Sequence, residues 1–151
     1  MKTAFLLAGL AIAGMSSHAF AADNCTVKLK ADDAMQYDLK TATVSASCPT
    51  ITIELAHTGK MPVAAMGHNV VVSQTVLYQA IANDGLKAGA AAGYVPKNDS
   101  RVIAATSLVG GGQSTKTTFP GSRLKAGGDY AFFCSFPGHA AIMRGKLLVV
   151  K

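Results

Sequence analysis

Ile51, Ile53 and Leu55 alternate with Thr52 and Glu54. A period of two gathers apolar side chains onto one face only when the chain is extended. Thr26-Val27-Lys28-Leu29-Lys30 repeats the pattern, and further strand-like runs follow at 69–73, 114–119, 130–134 and 146–150. Gly, Pro, Asn and Asp turn signals separate them. Strands with one face to bury, set at short intervals, point to an all-β chain folded as a β-sandwich or barrel. The segment 75–92, rich in Ala and Leu, departs from the pattern. It reads as a short helical insertion between strands, one or two helices broken at Asn83-Asp84-Gly85 and at Gly89.

The first residues read as an export signal. Met1 and Lys2 give a basic start, Ala4 to Ala13 an apolar run, and Ala19-Phe20-Ala21 a small-x-small cleavage pattern. Cleavage is expected before about Ala22, removing 1–21 and leaving a single domain over 22–151, long enough to bury a core of its own. No later run reaches the roughly 20 apolar residues that span a bilayer, so no membrane anchor is expected. The formal charge of +6 drops by one with Lys2, and the remaining basic residues are scattered. That spread describes a solvated surface rather than a nucleic-acid interface, which clusters basic side chains among stacking aromatics. Gly110-Gly111-Gly112 lacks the Lys of a phosphate loop and reads as a turn.

Three cysteines is an odd number for an exported chain. An oxidising compartment favours linking Cys25 to Cys48, and closing a loop of that size is worth roughly 3 kcal/mol. Cys134 is then left without a disulfide partner. Within ten residues, Cys134-Ser135-Phe136-Pro137-Gly138-His139-Ala140-Ala141-Ile142-Met143 brings a thiol, an imidazole and a thioether. Alternation sends Tyr130, Phe132 and Cys134 to one face, and Pro137-Gly138 turns the chain back over the cysteine. His68, at the head of Val70-Val71-Val72, can approach from a neighbouring strand. Two imidazoles and a thiolate with a distant thioether form the donor set of blue-copper electron transfer. Zinc is the rival metal, but its structural sites want a fourth strong ligand, and methionine is a poor one.

These segments carry a resemblance that covers Cys25 to Lys151. Met66-Gly67-His68-Asn69, Asp99-Ser100-Arg101-Val102-Ile103-Ala104 and Tyr130 through His139 are similar to the azurins, bacterial blue-copper proteins of the cupredoxin group. The spacing from Cys134 to His139 and on to Met143 is also theirs. The resemblance implies a cupredoxin-like Greek-key fold holding one copper ion that cycles between Cu(I) and Cu(II). His68, Cys134 and His139 would be equatorial ligands, Met143 an axial ligand, and the Gly67 carbonyl a weaker one opposite. It also implies the Cys25–Cys48 disulfide. Asn69 and the backbone around Phe136 would hydrogen-bond the cysteine sulfur and raise the reduction potential.

In azurins the loop histidine, here His139, reaches the surface within an apolar ring, matched here by Met35, Met61, Ala65, Met66, Leu86, Phe136, Gly138 and Ala141. Such a ring suits weak, transient docking. The implied role is a monomeric periplasmic electron carrier, not an enzyme, whose partners are c-type cytochromes or periplasmic reductases and peroxidases. Two other roles fit these residues less well. Copper storage would favour an open, methionine-rich site, and thiol catalysis by Cys134 and His139 would need an accessible sulfur. Two positions depart from the azurin pattern: Val70 stands where a buried tryptophan is common, and Ala105 where many have a histidine. His57 matches a histidine that is not a ligand, and a satisfied, partly buried ring is expected there.

Overall fold

The computed structural model describes residues 24–151, so the export signal expected over 1–21 lies outside the described residues. Among the described residues eight strands make two sheets: β1 (Thr26–Ala31), β2 (Thr41–Ser45), β3 (Thr50–His57), β4 (Val71–Gln74), β5 (Ala104–Ala105), β6 (Ser114–Pro120), β7 (Tyr130–Phe133) and β8 (Arg144–Val150). One sheet has the order β1-β3-β6 and the other β2-β8-β7-β4-β5. The chain crosses between them repeatedly, a Greek-key path through a sandwich whose two sheets do not close into a barrel.

The alternation read from the sequence is what the sandwich buries. Val27, Leu29 and Ala31 of β1 and Ile51, Ile53 and Leu55 of β3 face Ala42, Val44, Val72, Phe132, Leu147 and Val149 of the larger sheet in one core. The outer face of the larger sheet is covered over β4 and β7. There Val71 and Phe133 pack against Ile81 and Ala82 of α2 (Tyr78–Ala88, numbered after the one-turn helix α1, Val63–Met66) and against Ala140. Being covered on both sides, β7 is buried along its whole length.

The helical insertion falls where the sequence placed it, but the expected break at Asn83-Asp84-Gly85 does not occur. The helix runs through these residues and ends at Gly89, whose φ of 75° stops it. Gly85 is there for contact rather than flexibility, since a Cβ would run into the Tyr94 carbonyl. The strand expected over 69–73 begins only at Val71. Just before it, the Val70 N–H bonds the Thr106 hydroxyl at 2.9 Å in place of a ladder partner.

Register brings the chemistry to one end. Val71 pairs with Phe133, and Phe133 with Arg144, so the chain just before β4, just after β7 and just before β8 meets at a single edge of the larger sheet. Those positions hold His68, Cys134 and Met143. Cys25 and Cys48 are joined by a disulfide at the other end, near Ser45, which pairs with Val150. Among the described residues no helix is long and apolar enough to cross a membrane.

Candidate metal centre

His68, Cys134 and His139 are all buried, and their nearest donor atoms lie within 4.8 Å of one another. The Cys134 Sγ is 3.9 Å from His68 Nδ1 and 3.6 Å from His139 Nδ1. Metal bonds of about 2.0 Å to nitrogen and about 2.3 Å to sulfur, spread evenly in a plane, put N and S about 3.7 Å apart. The two measured edges bracket that value, so the donor set fits one small metal ion of the kind that thiolate and imidazole select.

Each candidate donor arrives from a different backbone device. The His68 backbone is pinned to Val109 by reciprocal hydrogen bonds of 2.9 Å, N to O in both directions. Its Nε2–H donates to the Asp32 carbonyl at 2.7 Å, which leaves Nδ1 as a bare lone pair facing the cysteine. Cys134 follows β7, and its N–H reaches the Met143 carbonyl at 3.0 Å. The loop between them closes on itself: His139 N–H bonds Phe136 O at 3.0 Å and Met143 N–H bonds His139 O at 2.8 Å. Gly138, at φ 82°, makes the reversal that the Pro-Gly pair announced. Met143 is fully buried in the same core cluster as Cys134.

Gly67 sits where a side chain would not fit, because a Cβ would come within 2.6 Å of the Val63 carbonyl oxygen. Its own carbonyl is 3.9 Å from the Cys134 sulfur. Asn69 clasps the ligand loop. Its Nδ2 donates to Ser135 Oγ at 2.8 Å and to the Gly93 carbonyl at 3.0 Å, while its Oδ1 accepts the Ser135 N–H at 2.9 Å. The backbone N–H groups of Asn69 and Phe136 both donate to the Cys134 sulfur.

Electrostatics prepare the donors. Burial pushes the Cys134 thiol up to about 11, against the pull of those two N–H groups. The sulfur therefore ionises only for a cation that replaces its proton. Burial, then the neighbouring His68 and His57, drive His139 down to about 4, and burial lowers His68 as well. Both rings are thus neutral near pH 7 with lone pairs free to coordinate. His57 is buried rather than partly exposed, and it stacks on His68 with centroids 4.3 Å apart. It accepts the Gly59 N–H on Nδ1 at 3.1 Å and donates from Nε2 to the Met66 carbonyl at 2.8 Å.

Most of the expected surface ring is exposed. Met61, Ala65, Leu86, Gly138 and Ala141 face solvent, and Met35 and Met66 are half-buried. Phe136 is not part of that surface. It lies beneath, edge-on to Tyr94 at 5.4 Å and tilted on His139 at 4.6 Å. His139 itself is only 3% exposed, so the ring rests almost on it rather than opening onto it. Leu86, Gly138 and Ala141 meet at a notch of about 170 Å³ between α2 and the ligand loop. Of the two departures, Val70 is fully buried in the main core, while Ala105 closes the edge of the larger sheet opposite Val71.

Sequence reasoning missed the Asp32 carbonyl, the Ser135 hydroxyl and Tyr37, whose hydroxyl reaches the Asn69 carbonyl. All three act across long stretches of chain, and no local spacing marks them.

Comparison with known proteins adds a family to this geometry. The profile of copper binding proteins, plastocyanin/azurin family, matches residues 23–150. The chain is 53% identical over 123 residues to azurin of Alcaligenes faecalis, covering 82% of this chain and 96% of that one. It is 45% identical over 145 residues to azurin of Bordetella pertussis, covering 96% and 97%. Among solved structures, azurin from Methylomonas sp. strain J superposes with a TM-score of 0.81 at 38% identity, over 84% of this chain and 98% of that one.

Proposed function

The chain belongs to the plastocyanin/azurin family of copper-binding electron-transfer proteins, and from that membership we propose that it shuttles single electrons between redox proteins in the periplasm. His68, Cys134 and His139 would hold one copper ion, with Met143 and the Gly67 carbonyl as weaker donors. The observation that carries this reading is the buried trio, whose donor atoms lie within 4.8 Å of one another and whose imidazole Nδ1 atoms lie 3.9 Å and 3.6 Å from the cysteine sulfur.

Bound there, copper supplies a reversible one-electron Cu(II)/Cu(I) couple. The residues do the rest. Cys134 yields its thiol proton on loading and gives a soft, charged donor, while the neutral rings of His68 and His139 suit either oxidation state. The bonds around Asp32, Asn69 and Ser135 hold these donors in place, so that little has to move when the electron does. The N–H groups of Asn69 and Phe136 draw charge off the sulfur, which favours the reduced state. Cys134 is fully buried, which suits a ligand and not a nucleophile.

Electrons enter and leave at the His139 end. Met35, Met61, Ala65, Met66, Leu86, Gly138 and Ala141 form a docking face there for c-type cytochromes, periplasmic reductases or peroxidases, and Phe136 supports it from below. The carrier works as a monomer, exported by residues 1–21 and cut before about Ala22.

The test is direct. Cu(II) added to the purified mature protein should give an intense blue absorption from thiolate-to-copper charge transfer, and Cys134→Ser should abolish it. A colourless wild-type protein sinks the reading.

A further inference from the structure

Tyr37 stands outside every role described so far, yet it is built into the centre. It lies between β1 and β2, tied to Ala31 by a single bridge, and its side chain enters the main core. The ring is 2% exposed and rests edge-on against Phe132 at 5.5 Å. Its hydroxyl donates to the Asn69 carbonyl at 2.5 Å, across 32 residues of sequence. Asn69 is fully buried, so that carbonyl has no solvent to turn to.

The position of Asn69 matters because its own N–H donates to the Cys134 sulfur. Two groups restrain the residue. Its side chain is clasped by Ser135 and Gly93, which fixes the direction of Cβ. The following peptide is held at both ends: its Val70 N–H bonds the Thr106 hydroxyl at 2.9 Å, and Tyr37 holds its carbonyl.

We propose that Tyr37 is a positioning residue for the copper centre: its hydroxyl pins the Asn69 peptide and thereby keeps the Asn69 N–H on the cysteine sulfur, raising the reduction potential. The inference rests on the reading of Cys134 as a copper ligand. Without the Tyr37 hydroxyl, a buried carbonyl loses its donor and the peptide, held only by the Val70 N–H on Thr106, tilts about that bond. The N–H···S contact lengthens, more negative charge stays on sulfur, and Cu(II) gains relative to Cu(I).

Tyr37→Phe removes one oxygen and keeps the ring against Phe132. Tyr130→Phe is the matched control, since Tyr130 is also buried and its hydroxyl accepts the Lys125 N–H at 3.0 Å, away from the metal ligands. Both variants, loaded with copper, are measured by voltammetry, by their visible charge-transfer band and by amide hydrogen exchange in the diamagnetic Cu(I) state. Tyr37→Phe should shift to lower potential, move the charge-transfer band and speed exchange at the Asn69 amide, whereas Tyr130→Phe should leave all three in place. An unchanged potential and band in Tyr37→Phe, with thermal stability alone reduced, overturns the proposal. Should Tyr37→Phe fail to accumulate, wild-type Cu(I) protein decides by NMR. A slowly exchanging Tyr37 hydroxyl proton supports the pin, and one exchanging at solvent rates overturns it. A blue wild type with an indifferent Tyr37→Phe refutes this inference alone, while a colourless wild type refutes the copper reading beneath it.

Discussion

Asp32 reaches the metal site without touching it through its side chain. Its carbonyl takes the Nε2–H of His68, 36 residues away, and so decides which nitrogen of that ring is bare. Gly67 contributes through what it lacks. Gly67→Ala would press a methyl group against the Val63 carbonyl, a backbone atom that cannot swing aside, and against Leu108. We expect a loss of about 1–3 kcal/mol, read as a lower urea midpoint. His139 sets a pH dependence for the copper-free protein. A free imidazole titrates near about 6.5, whereas burial, then the charges of His68 and His57, hold this one down to about 4. Between those values the unfolded chain binds a proton that the native state refuses. Stability should therefore fall as pH drops from about 6.5 to about 4, by at most on the order of 3 kcal/mol, and His139→Gln should flatten that part of a denaturation-versus-pH profile.

Helix α2 reverses an ordinary rule. Replacing a mid-helix glycine by alanine usually stabilises by roughly 0.5–1 kcal/mol. Gly85→Ala should instead lower the melting temperature, because the added methyl meets the Tyr94 carbonyl on which the end of the insertion is folded. The same helix is tied down by Arg101, which bonds Asp84 at 2.7 Å and Asp99 at 2.5 Å. The Arg101 guanidinium holds both carboxyls below their usual range. Their contribution is present above the ordinary carboxylate range and fades as pH falls through the lowered values. Arg101→Met should therefore speed amide exchange along α2 at pH 7 and lose that effect in acid. The strands with strict alternation were readable, since one repeating face is a local property. β2 and β5 were not. Thr41–Ser45 and Ala104–Ala105 are short and made of small residues, and they become strands by pairing with β8 and β4. The break expected at Asn83-Asp84-Gly85 failed for a related reason. Local turn chemistry lost to burial of Ile81 and Ala82 on Phe133 and Val71.

Across the molecule, the disulfide and the cluster of His68, Cys134 and His139 occupy opposite ends of the sandwich. Cys25→Ser with Cys48→Ser should cost about 3 kcal/mol in denaturant unfolding, since a loop with a sequence separation of 23 is released in the unfolded chain. The copper charge-transfer band should stay where it is, because no ligand is anchored through that end. The closeness of Cys134 and His139 was legible in the chain itself. A thiol, an imidazole and a thioether in one short loop form a local pattern, and strand alternation already said which way Cys134 would point. Four things were not local. His68 joins the loop only through the pairing of β4 with β7, which sequence proximity does not encode. The tautomer of His68, the clasp of Asn69 on Ser135 and the hold of Tyr37 on Asn69 each depend on a buried polar group meeting a partner more than thirty residues away. Such groups must be satisfied wherever the packed chain happens to bring a donor or acceptor. Composition can supply the donor groups, but only the packed sandwich aims them.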